Sequence, residues 1–245
     1  MRDRSQPRST PILAEDAVLR QPHVQWLCWG LYAATILAVA GVRWTGGAFP
    51  GDLSAYLAAV DVFADGANPY TDALAASTFF DGYPFVYPPG TLYLLWPLQW
   101  LGPHAAASCH IVMAGLTLGY AVWSLDRRFG LGLPLGPTLL AAVLFGPVTV
   151  DLMVGNLGVF LLGATVATAD LADTDVDWRT AGALTVLGLI YAFKVMWLAP
   201  AVLLLVAARR WRHLACLALG LGIVAALSAL QPAMVGDWLA RIQWV

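Results

Sequence analysis

The chain has 245 residues, 60% of them hydrophobic and 11% charged, with a mean hydropathy of +0.71. Soluble domains carry about 25% charged residues, so this balance excludes an ordinary water-soluble fold and points to helices crossing a bilayer. A net charge of −2 excludes a nucleic-acid binder, and three cysteines in three separate apolar runs, Cys28, Cys109 and Cys216, give neither a disulfide framework nor a zinc pattern.

Residues 1–23 are polar and read as a cytoplasmic segment; residues 24–245 read as one transmembrane domain. The first apolar run, 24–42, is longer than the core of a secretory signal, so it is expected to be a retained anchor although "AVAG" at 38–41 imitates a cleavage site. Residues 43–89 then form a loop too long to be a mere connection. Inside it, Leu53, Tyr56, Leu57, Val60, Phe63 and Ala64 follow helical spacing with Asp61 and Asp65 opposite. This pattern predicts an amphipathic helix over 53–65 lying on the outer membrane surface, ended by Gly66 and N-capped by Asp52. Pro88 and Pro89 force a turn, and the greasy stretch 92–101 is too short to cross. Tyr87, Tyr93, Trp96 and Trp100 suit an aromatic belt there, and the same stretch suits the wall of a lipid-binding groove.

Further spans are expected at 103–125, 133–150, 156–169 and 213–230, and the run 180–208 is divided at Lys194 into 180–193 and 195–208. With a cytoplasmic N-terminus, seven spans place Arg2, Arg4, Arg8, Arg20, Arg127, Arg128, Arg179, Arg209, Arg210 and Arg212 inside, and only Arg43 and Arg241 outside. A single span over 180–208 would break that pattern. At about 1.5 Å per residue the segment 180–193 covers only ~21 Å of a ~30 Å core, so Lys194 is expected in a protein-lined cavity below the outer surface. A lysine there costs roughly 2.5–3.5 kcal/mol on insertion scales and needs a partner, either Asp151 or Asp52 or the phosphate of a ligand. Asp151 and Asn156 bracket an outer turn, with capping as the simpler role and substrate contact as the second. His104 and His110, six apart, do not share a helix face, and no metal or cofactor is expected.

Asp52-x3-Tyr56, "GANPY" (66–70) and "YPP" (87–89) resemble the first external loop of glycosyltransferase family 87. "VGNLGVFLL" (154–162) and "FKVMWLAP" (193–200) resemble that family's later segments, with Asn156 where Gln is usual and Gly158 where Asn is usual. The resemblance implies a GT-C fold: an all-α polytopic core of about seven transmembrane helices, with a long first external loop carrying juxtamembrane helices. It implies a cell-membrane enzyme whose site faces outward and which moves a sugar, mannose above all, from a polyprenyl-phosphate donor to a glycan, glycolipid or protein acceptor. Asp52 would be the catalytic base and Lys194 the donor-phosphate ligand. Tyr56, Asn68, Tyr70, Tyr87, His104, Asp151 and Asn156 would line the substrate site. Members generally continue for several more spans beyond the point where "RIQWV" stands, so a missing acceptor region or a completing membrane partner is expected. The rival class is a non-catalytic membrane protein, a lipid-sugar carrier or a degenerate remnant of the enzyme. A carrier needs polar groups through the whole membrane, and here they gather in the outer half.

Overall fold

A computed structural model describes residues 14–45, 51–71 and 85–242. The N-terminal segment with Arg2, Arg4 and Arg8, the adjoining residues to 13, and 46–50, 72–84 and 243–245 lie outside the described residues. All regular structure among the described residues is helical: α1 (Ala14–Leu19), α2 (Pro22–Trp44), α3 (Gly51–Ala64), α4 (Gly90–Leu95), a 3-10 turn (Trp96–Leu101), α5 (Pro103–Phe129), α6 (Leu135–Leu144), α7 (Gly146–Val154), α8 (Gly158–Ala172), α9 (Trp178–Tyr191), a second 3-10 turn (Val195–Trp197), α10 (Leu198–Ala207), α11 (Trp211–Ala229) and α12 (Pro232–Ile242). Large apolar side chains such as Leu116, Leu203 and Leu219 stand exposed on the outside of the bundle, as lipid-facing residues must.

Helices α2, α5 and α11 are each long and apolar enough to cross a membrane, and α6 with α7 forms a fourth candidate bent by 65°. The other apolar helices are shorter, 15 residues in α8, 14 in α9 and 10 in α10. The protein is therefore a multi-pass helical membrane protein with three or four spans of full crossing length among the described residues.

The expected continuous span 133–150 is corrected to a broken one. Phe145 is extended, and Pro147 in the first turn of α7 has no N–H to offer the carbonyl of Val143. The Thr149 hydroxyl donates to that carbonyl instead, at 2.7 Å, so the break leaves it satisfied inside an apolar bundle.

Two of the strongest packing features follow from small residues. Where α9 crosses α11, a methyl group on Gly188 would stand 2.2 Å from the Leu217 carbonyl oxygen, and one on Gly220 would stand 2.1 Å from that of Thr185. Backbones can approach this closely only where both helices lack a side chain, the usual device for joining helices in lipid. Gly220→Ala is accordingly expected to push the two helices apart and destabilise the fold by about 1–3 kcal/mol. The check is the melting midpoint in detergent, which should fall clearly, whereas Gly222→Ala, with open space around it, should leave the midpoint unchanged.

The polar contacts gather at two ends. At one, Gln25 Oε1 accepts from the Gly136 N–H, Asp126 accepts from the Leu133 N–H, and Arg128 donates to Asp173 at 2.7 Å. The His213 ring there lies 3.1 Å from the carbonyl oxygens of Leu171 and Thr174. At the other end α12 docks on the long loop. Asn68 donates to Asp237 at 2.6 Å, and the Trp238 indole N–H donates to the Val86 carbonyl at 2.9 Å.

The helix expected to lie on the membrane surface is corrected as well. Helix α3 is enclosed: five consecutive residues, Leu53 to Leu57, are buried, and the helix packs against α4, the first 3-10 turn, α5 and α7. Within α3 only Asp61 and Ala64 are well exposed, and Gly66, at φ 77°, ends it as expected. Tyr87 also leaves the expected aromatic belt, because it is buried against Tyr56 and Phe85, while Trp96 and Trp100 are exposed as belt residues.

Candidate active site around the turn between α7 and α8

The site begins at the turn 155–157. Gly155, at φ 71°, closes α7, and the Asp151 carbonyl accepts the Asn156 N–H at 3.0 Å. The Asp151 carboxylate turns the other way and accepts the N–H of Val159 at 2.9 Å and that of Gly158, so it caps α8 across the turn. A methyl group on Gly158 would stand 2.6 Å from Asp151 Oδ1, which explains why glycine follows the turn at this point.

Asn156 then presents its side chain to Lys194, whose Nζ donates to Asn156 Oδ1 at 2.6 Å. Lys194 lies in the irregular stretch between α9 and the second 3-10 turn. Pro200 in the first turn of α10 cannot donate back into such a stretch, so α9 does not run on into α10. Neither Asp151 nor Asp52 forms an ion pair with Lys194, and both ion pairs among the described residues belong to Arg128.

Phe193, beside Lys194, packs edge-on against Tyr87 at 5.8 Å between ring centroids, and the hydroxyls of Tyr87 and Tyr56 share a hydrogen bond of 2.8 Å. Tyr56 lies one helical turn after Asp52, so the loop tyrosines link the start of α3 to the Lys194 stretch. Asp52 stands inside the first turn of α3 rather than at its N-cap, which corrects the expected capping role. Burial pushes the Asp52 carboxyl above the ordinary carboxylate range, the Lys194 ammonium draws it partly back, and the Asp151 carboxylate adds to the rise. Asp52, Lys194 and Asp151 thus share one electrostatic neighbourhood, although they come from three separate parts of the chain.

Of the remaining expected site residues, Tyr70 donates its hydroxyl to the Tyr87 carbonyl at 2.6 Å and holds the loop. Asn68 accepts the Tyr70 N–H and donates to Asp237, so it ties the loop to α12 rather than facing Asp52. His104, at the start of α5, lies 3.0 Å from the Arg43 carbonyl oxygen through Nδ1.

Two further residues meet the same turn. Arg43, in the last turn of α2, donates from Nη2 to the Met153 carbonyl at 2.9 Å. His110 faces the backbone of Asn156, keeps its Nε2 buried without a hydrogen-bond partner among the described residues, and packs edge-on against Phe160. Sequence reasoning used Arg43 only as a topological charge and His110 only to exclude a metal pair. A cation at the very end of the first span, with a buried neighbour yet to be found, was the available signal for Arg43.

A multi-pass membrane protein with a half-buried carboxylate and an ammonium that makes no ion pair among the described residues, held in one electrostatic neighbourhood, has the makings of a membrane-embedded enzyme. Residues 85–245 match the model of Glycosyltransferase family 87, and the chain belongs to that family. The match leaves out Asp52 and Tyr56 but includes Tyr87, His104, Asp151, Asn156 and Lys194. No curated protein and no solved structure matches the chain.

Proposed function

We propose that this glycosyltransferase takes its sugar, mannose above all, from a polyprenyl-phosphate donor and passes it with inversion to an acceptor hydroxyl on the extracytoplasmic face. The observation that carries this reading is the electrostatic neighbourhood that Asp52 shares with Lys194. One is a carboxylate whose burial makes it a better base, and the other is a cation that makes no direct ion pair among the described residues and donates to Asn156 instead.

In the proposed reaction the acceptor oxygen attacks the anomeric carbon from the face opposite the phosphate. Its proton passes to the Asp52 carboxylate as the new C–O bond forms. The bond from the anomeric carbon to the phosphate oxygen breaks, and its electron pair leaves with polyprenyl phosphate. Lys194, oriented by Asn156, meets the charge that grows on that phosphate. Tyr56 and Tyr87 hold the height of Asp52 relative to Lys194. The acceptor is a glycan, glycolipid or protein hydroxyl arriving from water.

Seven crossings fit this reading. The shorter α8, α9 and α10 alternate in direction between the two polar ends, and the Lys194 stretch then lies below the outer surface, within reach of a lipid phosphate. Topology is tested by single cysteines introduced at Ala67 and Asp175 in a background lacking Cys28, Cys109 and Cys216. An impermeant maleimide should label the first in intact cells and the second only after permeabilisation; equal labelling would end the seven-span arrangement. The activity itself is tested by incubating membranes containing the chain with a radiolabelled polyprenyl-phosphate mannose. Transfer to a membrane or cell-wall acceptor is the expected result, and a nucleotide-sugar requirement would overturn it.

A further inference from the structure

The Arg43 guanidinium is a charged group near the site whose situation the proposed reaction has not used. Its residue is only 7% exposed, and it is held against the Met153 carbonyl by a single hydrogen bond from Nη2. Its Nε is buried and finds no hydrogen-bond partner among the described residues. No acidic group forms an ion pair with it among the described residues. A buried cation without a counter-ion is costly, and a guanidinium donor left unbonded adds the cost of lost hydration. The negative end of the short helix α7 offsets part of this through the Met153 carbonyl, but it does nothing for Nε.

The placement of Arg43 gives the missing anion a position. Its contact at Met153, in the last turn of α7, and the Lys194 contact at Asn156, in the turn that follows, are three residues apart. The first comes from α2 and the second from the stretch after α9, so the two cations approach the turn from different elements. Helix α3, which carries Asp52, packs against α7 beside them. Neither cation makes a direct ion pair among the described residues, and only Lys194 feels the charges of Asp52 and Asp151. An acidic side chain would have been the ordinary way to neutralise them, and Asp151, the carboxylate on this turn, is committed to the N–H groups of α8.

We propose that Arg43 is a second anion-binding residue of this site and that its ligand is the phosphate of a polyprenyl chain, taken through Nε while Nη2 stays on Met153. This rests on the reading of the donor as a lipid phosphate. A guanidinium suits the task because it keeps its charge in any surroundings and presents several donors in one plane, so one can hold the protein while another holds the ligand. Lys194 follows the phosphate as a mobile point charge, and Arg43 fixes where it sits.

The test uses the full chain in lipid nanodiscs, with undecaprenyl phosphate as probe, undecaprenol as its uncharged control and inorganic phosphate as competitor. Binding is read as the shift in melting midpoint over a range of probe concentrations. Arg43→Gln removes the charge and the Nη2 contact to Met153, since its amide nitrogen reaches only about as far as Nε. It is expected to weaken undecaprenyl phosphate about 10-fold or more, leave undecaprenol binding near wild type, and recover part of the loss in Arg43→Lys. Should Arg43→Gln prove unstable, Arg43→Lys alone is decisive: it keeps the charge and loses the fork, so a several-fold weakening for the phosphate but none for undecaprenol is expected. Wild-type affinity for undecaprenyl phosphate in Arg43→Gln, or equal loss of undecaprenol, would overturn the role of Arg43 and leave the donor reading standing. Competition by millimolar inorganic phosphate as strong as by the lipid would overturn the lipid source. Failure of the wild type to bind undecaprenyl phosphate at all would bring down the donor reading together with this inference.

Discussion

Asp52→Asn is expected to lower sugar transfer by about 10²-fold or more while leaving the protein folded, because a general base contributes on this scale. The substitution keeps the size and hydrogen-bonding shape of the side chain and removes only its ability to take a proton. Its effect on stability has a definite sign. Burial raises the Asp52 carboxyl in the folded state, so the folded protein holds this proton more tightly than the unfolded chain does. Stability from this group is full below the carboxylate range of the unfolded chain, near about 3.9, and is lost as pH rises through the higher folded value. At neutral pH the ionised Asp52 is therefore a burden, and the Asn variant should melt at the wild-type temperature or slightly above it. The same elevation predicts that the acid limb of kcat/KM in the wild type falls at a pH above the ordinary aspartate range. Thermal melts and transfer assays on the same preparations check both statements. Full transfer by Asp52→Asn would end the catalytic assignment, and loss of activity with a large drop in melting midpoint would make Asp52 a structural residue.

This pairing of lost activity with kept stability also shows how far the sequence could be read. The chain's apolar runs gave the membrane class, and the ends of α2, α5 and α11 fall within a few residues of the expected spans. Lys194 was expected to interrupt the run 180–208, and it does, with Pro200 shaping the break as much as the charge. What hydropathy could not show is direction within an apolar run. Residues 133–150 read as one greasy span, yet Gly146-Pro147 bends it by 65°, a signal carried by backbone chemistry rather than by polarity.

The loop was harder for a different reason. Helical spacing of Leu53, Tyr56, Val60 and Phe63 identified α3 correctly, but an apolar stripe does not say what will cover it or whether the opposite face will be covered too. The C-terminal helix α12 and the proline turn close over the loop, with Trp238 bonded to Val86 and Met234 in the same apolar cluster. Periodicity in 53–65 contains no trace of partners that lie beyond residue 85. The site shows the same limit. Asp52, Lys194 and Asn156 were each legible as unusual residues in their surroundings, whereas the contact of Asn156 with Lys194 and that of Arg43 with Met153 are facts of folding alone.

The Lys194 side chain offers the second large effect. Lys194→Met keeps a long apolar stem of similar reach and removes the ammonium, and polyprenyl-phosphate binding should weaken about 10- to 100-fold, the worth of a charge-assisted hydrogen bond at ~1.4 kcal/mol per decade. Among the described residues no aspartate loses a direct ion pair in this variant, because Nζ donates to the Asn156 amide oxygen instead. The fold should therefore survive, because Asn156 Oδ1 still accepts from the Leu157 N–H. Asp52 should respond as well. The ammonium is the one neighbour that draws the Asp52 carboxyl down, so its removal leaves burial and Asp151 to push the carboxyl further up. Residual transfer by Lys194→Met should then lose its activity at a higher pH on the acid side than the wild type does. The acid limb reports that the ammonium reaches Asp52 whatever else it does; the lipids report what it holds, because a lysine that merely braced Asn156 would leave phosphate and uncharged polyprenol affected alike. Titrating both lipids against both proteins separates a lysine that holds the leaving phosphate from one that only holds the turn.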